Sequence, residues 1–271
     1  MAGNMQSQHK VDIKLAAMHL TWNVPVGDAF VPWLREVREA GYEGITSFAH
    51  WGLEHFIEKP QALKTLLADE GLSLAAVDVQ LHDDLEKYKP VFEFMQALDC
   101  RLLACIDPAG TEKDYAKYGA MMNRIGELAQ TYGIHAHYHN HTDAVGETLT
   151  DMECLMKELD FRFVSLMLDI GHATKDFVEL PHRERALHFL QKYWDRIHYL
   201  EFKDWNDETD LNTPVGEGKT DYLGIFRLIR ERGYAGWITV EQNGNDGLSL
   251  GRRPKECAKI SRRYIREHLG V

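Results

Sequence analysis

The chain has 271 residues, 44% of them hydrophobic and 27% charged, with a formal net charge of −11. That acidic balance argues against a nucleic-acid binder, which needs a basic face, and no apolar run reaches the ~18–20 residues that span a bilayer. The cysteines, Cys100, Cys105, Cys154 and Cys257, form no CxxC pair and fit a reducing, cytoplasmic setting.

Taken in order, the chain opens on MAGNMQSQHK, which is polar and has no apolar signal-peptide core. Residues 1–10 read as a flexible lead and residues 11–271 as a single domain. Short β-rich runs then alternate with longer segments whose apolar residues recur at three and four places. KLAAMHL is followed by the helical FVPWLREVREAG, GITSFA by PQALKTLLADEG, and SLAAVDVQ by LEKYKPVFEFMQALD. RLLACI precedes YAKYGAMMNRIGELAQTYG, IHAHYHN precedes TDMECLMKELD, and VSLMLDI precedes ERALHFLQKYW. IHYLEFKD is followed by YLGIFRLIRERG, and WITVEQ by the basic amphipathic GRRPKECAKISRRYIREH. Gly41, Gly71, Gly133 and Gly233 stand where left-handed helix caps are wanted.

The alternation predicts a parallel sheet with crossover helices. Eight strands and a closing helix in this length predict a (β/α)8 TIM barrel. A doubly wound open sheet would carry a Gly-rich phosphate loop after its first strand, and MHLTWNVPVGDAF has none.

GIHAHYHNHTDAVGET places His135, His137, His139 and His141 at every second position. On a strand they share one face, about 6.6 Å apart at roughly 3.3 Å rise per residue, so one ion or substrate can meet only one or two of them. His135, the deepest, reads as an ordinary buried histidine. Active sites of such barrels lie at the C-terminal strand ends. There the sixth strand ends in Asp169 with His172 beyond. The seventh ends in Glu201 with Lys203 and Asp204 beyond, the eighth in Glu241, and the histidine row is followed by Glu147. Strand alternation puts Met167 with Asp169, Tyr199 with Glu201 and Thr239 with Glu241. Leu168, Leu200 and Val240 then face the helices.

Each residue also has a plainer role: Glu201 in an ion-pair cluster with Lys203 and Asp204, Asp169 capping a turn, Glu147 favouring a helix N-terminus. Carboxylates converging on one mouth nevertheless repel unless something neutralises them. A divalent ion does so economically, and oxygen-rich ligands with one imidazole favour Mn²⁺, Mg²⁺, Co²⁺ or Zn²⁺.

YHNH, DIGHA, EFKDW, VGEGKTDY and WITVEQN, in this order, resemble the sugar phosphate isomerase/epimerase superfamily of xylose-isomerase-like TIM barrels. The nearest branch holds inosose dehydratase, keto-sugar epimerases and 3-keto-glycoside-processing enzymes. The resemblance spans nearly the whole chain and is strongest from Tyr132 onward. It implies one divalent metal, manganese first, with cobalt, magnesium or zinc as alternatives, held by Glu, Asp, His and Glu from strands five to eight. Asp169, His172, Glu241 and the Lys203–Asp204 pair match the family's motifs. Two positions depart: Glu201 stands where the strand-seven histidine ligand is usual, and His137 aligns with the strand-five glutamate. Either Glu147, Asp169, Glu201 and Glu241 hold the metal, or His137 and Glu201 have exchanged roles. Ala144 cannot serve as a ligand.

The chemistry implied is proton abstraction beside the carbonyl of a sugar or keto-sugar through a metal-stabilised enediolate. Glu241 acts as base, His139, His141 or His172 protonate or orient oxygens, and Lys203 joins the catalytic set. Isomerisation or epimerisation is expected first, and elimination by a dehydratase or keto-glycoside lyase second. Trp22, Trp51 and Trp205 stand near loop ends where they could stack on a sugar ring. An apurinic endonuclease on the same barrel would want more histidine ligands and a basic groove. A non-catalytic sugar-binding or partner subunit with a vestigial site is the rival outside enzymology. The expected partner is a small-molecule sugar, not nucleic acid or membrane, and a homo- or hetero-oligomer is compatible with all of this.

Overall fold

The structure, a computed structural model, describes residues 11–108, 110, 112–244 and 251–271. The polar lead expected over residues 1–10 lies outside the described residues. Among these, eight parallel strands close into a barrel: β1 (Asp12–Met18), β2 (Gly44–Phe48), β3 (Ser73–Gln80), β4 (Leu102–Ile106), β5 (His135–His139), β6 (Val164–Asp169), β7 (Ile197–Phe202) and, closing against β1, β10 (Ala235–Val240). Between β7 and β10 lies an antiparallel hairpin, β8 (Asp204–Asn206) and β9 (Asp210–Thr213). The barrel is wrapped by α1 (Phe30–Ala40), α2 (Glu54–Ile57), α3 (Pro60–Glu70), α4 (Lys89–Ala97), α5 (Tyr115–Thr131), α6 (Leu149–Leu155), α7 (Ile170–Asp176), α8 (His182–Lys192), α9 (Tyr222–Arg232) and α10 (Pro254–His268). The (β/α)8 expectation holds. No helix of the described residues is long and apolar enough to cross a membrane.

Two packing zones follow from strand alternation. Outward residues such as Val77, Leu168, Leu200 and Val240 join the helices in the large core, while Ala76, Ala104, Met167 and Tyr199 pack inside the barrel. Gly41, Gly71, Gly133 and Gly233 all have positive φ, as left-handed caps require. The closing helix α10 buries Cys257, Ala258, Ser261 and Ile265, and on its basic side Lys255 pairs with Glu39 of α1 at 2.5 Å. Among the described residues, no disulfide joins Cys100, Cys105, Cys154 or Cys257.

Two elements differ from the sequence expectation, each for a physical reason. Helix α7 is buried almost all round, polar His172, Thr174 and Asp176 included, so its seven residues show no apolar–polar alternation that follows solvent exposure. The β8–β9 hairpin is organised by a side chain. The buried Asp204 carboxylate accepts N–H groups from Trp205 (2.9 Å), Gly216 (2.9 Å) and Gly218 (3.0 Å), gathering the VGEGKT loop beside the barrel mouth.

The α9 face depends on Phe226, fully buried between Phe202 of β7, Tyr222 and Tyr264. Phe226→Ala should cost about 3–5 kcal/mol, the usual range for emptying an aromatic core site, read as a lowered urea midpoint at unchanged slope.

Candidate active site at the barrel mouth

The barrel's interior is stacked in rings, each supplied by alternate strands, with the pairing stepping about one residue per strand. The observed pairings put Thr46, Ala104, Met167 and Thr239 in one ring, where the Thr46 and Thr239 hydroxyls bond at 2.8 Å. The ring above it is Met18, Asp78, His139 and Glu201, and the next is Phe48, Ile106, Asp169 and Glu241. Met18, Phe48 and Ile106 thus give the β1–β4 side apolar groups with Asp78 of β3 set among them, and the β5–β10 side is dense with charge.

His139, Asp169 and Glu201 are buried, and each can bring one donor atom within 4.8 Å of the others. Asp169 Oδ1 accepts the His172 N–H at 2.9 Å and so caps α7. Its Oδ2 is left facing His139 Nε2 (3.6 Å), Lys203 Nζ (3.6 Å) and His172 Nε2 (3.8 Å). Among the described residues, Asp169 Oδ2, both His139 nitrogens and both Glu201 oxygens are buried without a hydrogen-bond partner. Polar atoms are seldom buried in this state without a ligand to satisfy them. One imidazole and two carboxylates make a donor set for a divalent cation, and these residues fit such an ion.

The electrostatics agree. Burial, and after it the charges of Glu241 and Asp169, push the Glu201 carboxyl well above the usual carboxylate range. Burial works against the Asp169 carboxylate as well. The cations beside it, Lys203 above all because His172 is itself held neutral, nevertheless keep Asp169 well below that range. Lys203 is 2% exposed and donates to Glu241 Oε1 at 2.5 Å. Burial disfavours its charge, but Glu241 and Asp169 more than compensate and raise its pKa.

His172 sits in a relay: its Nδ1 accepts the Thr142 N–H at 3.2 Å, and the Thr142 hydroxyl donates to Asp176 at 2.6 Å. With Nδ1 an acceptor, the neutral ring carries its proton on Nε2, which has no partner. His141 stacks on it at 3.9 Å between centroids and donates Nδ1–H to the Thr142 carbonyl at 2.7 Å. Burial, and then Lys203, lower His141 to about 4.

The histidine row thus occupies four levels. His135 is exposed at the strand's entry, a correction to its reading as the deepest buried member, since strand depth here runs toward the mouth. His137 is buried two rings below His139, against Tyr199, with Nδ1 3.2 Å from the Leu103 carbonyl. The imidazole that meets Asp169 and Glu201 is His139, two residues beyond the position that aligns with the family's strand-five ligand. Glu147 stands apart: Lys113 neutralises it at 3.2 Å, and its Oε1 accepts the Asp143 N–H at 3.2 Å, just before the Thr148 cap of α6. Glu241 is at the mouth, held by Lys203. Trp22 donates to Glu36 (2.9 Å), Trp205 stacks on His182 (4.9 Å), and Trp51 is 53% exposed beside Phe48.

Sequence reasoning missed Asp78 and Asn140. Asn140 clamps Asp169 through both backbone atoms, accepting its N–H at 2.9 Å and donating to its carbonyl at 3.1 Å. Asp78 is 1% exposed, both its oxygens lack a hydrogen-bond partner among the described residues, and burial pushes it up to about 7. Its signal was a carboxylate on the same strand face as Ala76, inside an otherwise apolar run.

Fold and site together define a (β/α)8 barrel with a carboxylate–imidazole cluster at the C-terminal mouth. A family profile described as xylose isomerase-like TIM barrel matches residues 34–268, and the chain belongs to that family. It is 28% identical to an inosose dehydratase of Bacillus thuringiensis (strain Al Hakam) over 243 residues, covering 81% of this chain and 72% of that one. Among solved structures it is similar to a sugar phosphate isomerase/epimerase from Parabacteroides distasonis, with TM-score 0.72, 18% identity, and 98% and 96% of the two chains covered. It is also similar to the IOLI protein, described with a binding zinc atom, with TM-score 0.72, 16% identity, and 95% and 98% covered. At these identities the two structures show the fold alone.

Asp78 makes stability pH-dependent. Its folded pKa of about 7 lies above the ordinary 3.8, so its contribution is full below about pH 4 and is lost as pH rises through 7. In metal-free protein, Asp78→Asn should therefore gain stability over the parent from about pH 4 to 7 and hold a constant advantage above that. Urea midpoints of both proteins across this range check the slope; a constant difference would contradict it.

Proposed function

We propose that this protein is a metal-dependent enzyme of carbohydrate metabolism that removes a proton beside the carbonyl of a cyclic keto-polyol or keto-sugar and then expels water from the adjacent carbon. The observation that carries the reading is the buried, unsatisfied His139–Asp169–Glu201 cluster with the Lys203–Glu241 pair beside it. The sequence analysis put isomerisation or epimerisation first and elimination second. The inosose dehydratase relatives support the reverse order, with an inosose-type ketone as the first substrate to try.

A divalent ion held by His139, Asp169 and Glu201 would supply Lewis-acid stabilisation of negative charge on the substrate oxygens. The donor set suits zinc as well as manganese, cobalt or magnesium, and nothing in it favours manganese. Glu241 accepts the carbon-bound proton. Lys203, 2.5 Å from Glu241, passes a proton to the leaving hydroxyl and is refilled from the carboxyl. The proton taken from carbon thus departs with the hydroxyl as water, and an enone remains. His172 offers its Nε2–H to a substrate oxygen, fixed in that tautomer by the Thr142 N–H. The apolar wall of Met18, Phe48 and Ile106 faces the CH surface of a ring and excludes bulk water.

The test is a panel of inososes and keto-sugars offered with zinc, manganese, cobalt or magnesium in turn, followed by ultraviolet absorbance for an enone and by NMR in D₂O. Enone formation supports elimination; a deuterated epimer or aldose–ketose pair replaces it with the isomerase reading. Lys203→Met should lower kcat by about 10²–10⁴-fold, the usual worth of a positioned proton carrier, with little change in KM. No turnover by the parent protein, together with no bound metal, would leave a sugar-binding barrel.

A further inference from the structure

Two orphaned groups in the same ring complement each other. His139 turns Nε2 toward Asp169 Oδ2, at 3.6 Å, so Nδ1 is its second nitrogen, buried and without a partner among the described residues. Asp78 is 1% exposed, and neither of its oxygens has a hydrogen-bond partner among the described residues. On β3 Asp78 is in register with Ala104 of β4, and Ala104 with His137 of β5. Stepping with the strand tilt, the ring at the height of Asp78 passes next through His139. The β4 residue in the ring below contributes only the methyl group of Ala104.

We propose that Asp78 is the positioning carboxylate for His139, accepting its Nδ1–H when Nε2 takes a divalent cation. This rests on the metal reading of the His139–Asp169–Glu201 cluster and adds what that reading lacks. An imidazole ligand carries a second N–H that a carboxylate ligand does not, and in a dry site that N–H needs an acceptor to fix the ring's tautomer and direction. Placing the imidazole on β5 creates this requirement on the β3 side of the barrel, where Asp78 stands. Asp78 reaches the reaction only through His139.

The experiment measures zinc and cobalt affinity of the full chain by competition with a chromogenic chelator, for the parent, His139→Ala, Asp78→Leu and Asp78→Asn. The expected result is one ion per chain in the parent and loss in His139→Ala. Affinity should fall about 10–100-fold in Asp78→Leu, the usual effect of removing such a partner. It should be partly restored in Asp78→Asn, whose amide oxygen still accepts. Imidazole ¹⁵N shifts of the zinc-loaded parent should show a protonated Nδ1 on His139, and the altered signal in Asp78→Asn supplies the same comparison if Asp78→Leu does not fold. Parent-like affinity in both Asp78 variants, with His139→Ala defective, would overturn the role of Asp78 and leave the metal site standing. No binding by the parent would overturn both.

Discussion

The mouth of this barrel is governed by one electrostatic constraint. Among the described residues, Asp78, Asp169, Glu201 and Glu241 are buried together with one buried ammonium, that of Lys203. Water cannot screen them there, and Lys203 satisfies only Glu241 by a direct hydrogen bond. Protonation relieves part of the strain, as the raised pKa values of Glu201 and Asp78 show. A bound cation relieves it differently, by giving the orphaned oxygens a partner. The rest of the site serves this cluster: Asn140 fixes the Asp169 backbone, the α7 cap uses one Asp169 oxygen and frees the other, and Asp204 holds the adjoining loop.

The fold was legible because alternation of strand and helix periods is written in residues whose burial the barrel enforces. Leu168 and Leu200 must face helices if Met167 and Tyr199 face the interior, and they do. The strand-end carboxylates were legible for the same reason. Glu147 exposes the limit. A carboxylate in a loop has no parity to place it, and its destination was decided by Lys113, 34 residues away. Asp78 was hidden for the opposite reason: it has perfect strand parity but lies on β3, where neither motif nor turn drew attention. The α7 helix was invisible because nearly complete burial leaves its polar residues on no solvent face.

The histidine row shows how one repeated residue acquires unrelated roles from depth alone. The strand carries His137 and His139 two rings apart, with the Thr46, Ala104, Met167 and Thr239 ring between them, and His141 lies beyond the strand end. His137 meets Tyr199 and a backbone carbonyl, which burial makes an apolar and neutral environment, and its pKa falls to about 3. His139 meets the carboxylate cluster. His141 meets another imidazole and a carbonyl on the loop that also fixes His172. Identical side chains at identical spacing therefore meet a packed interior, a carboxylate cluster and a hydrogen-bonded loop in turn.

In the proposed metal site, an imidazole on β5 and a carboxylate on β7 would keep the same donors around a cation while exchanging which strand brings which. The two donors are not equivalent in what they demand of their surroundings. A carboxylate leaves a lone pair that water or a cation can satisfy, whereas an imidazole leaves an N–H that requires an acceptor. Moving the histidine across the barrel moves that requirement with it. A β3 interior face of Ala76 and Asp78, buried beside the β5 histidines, supplies an acidic group on the side where the requirement arises. Asp78, buried and without a hydrogen-bond partner among the described residues, is costly in isolation, and the proposed hydrogen bond from His139 would offset that cost.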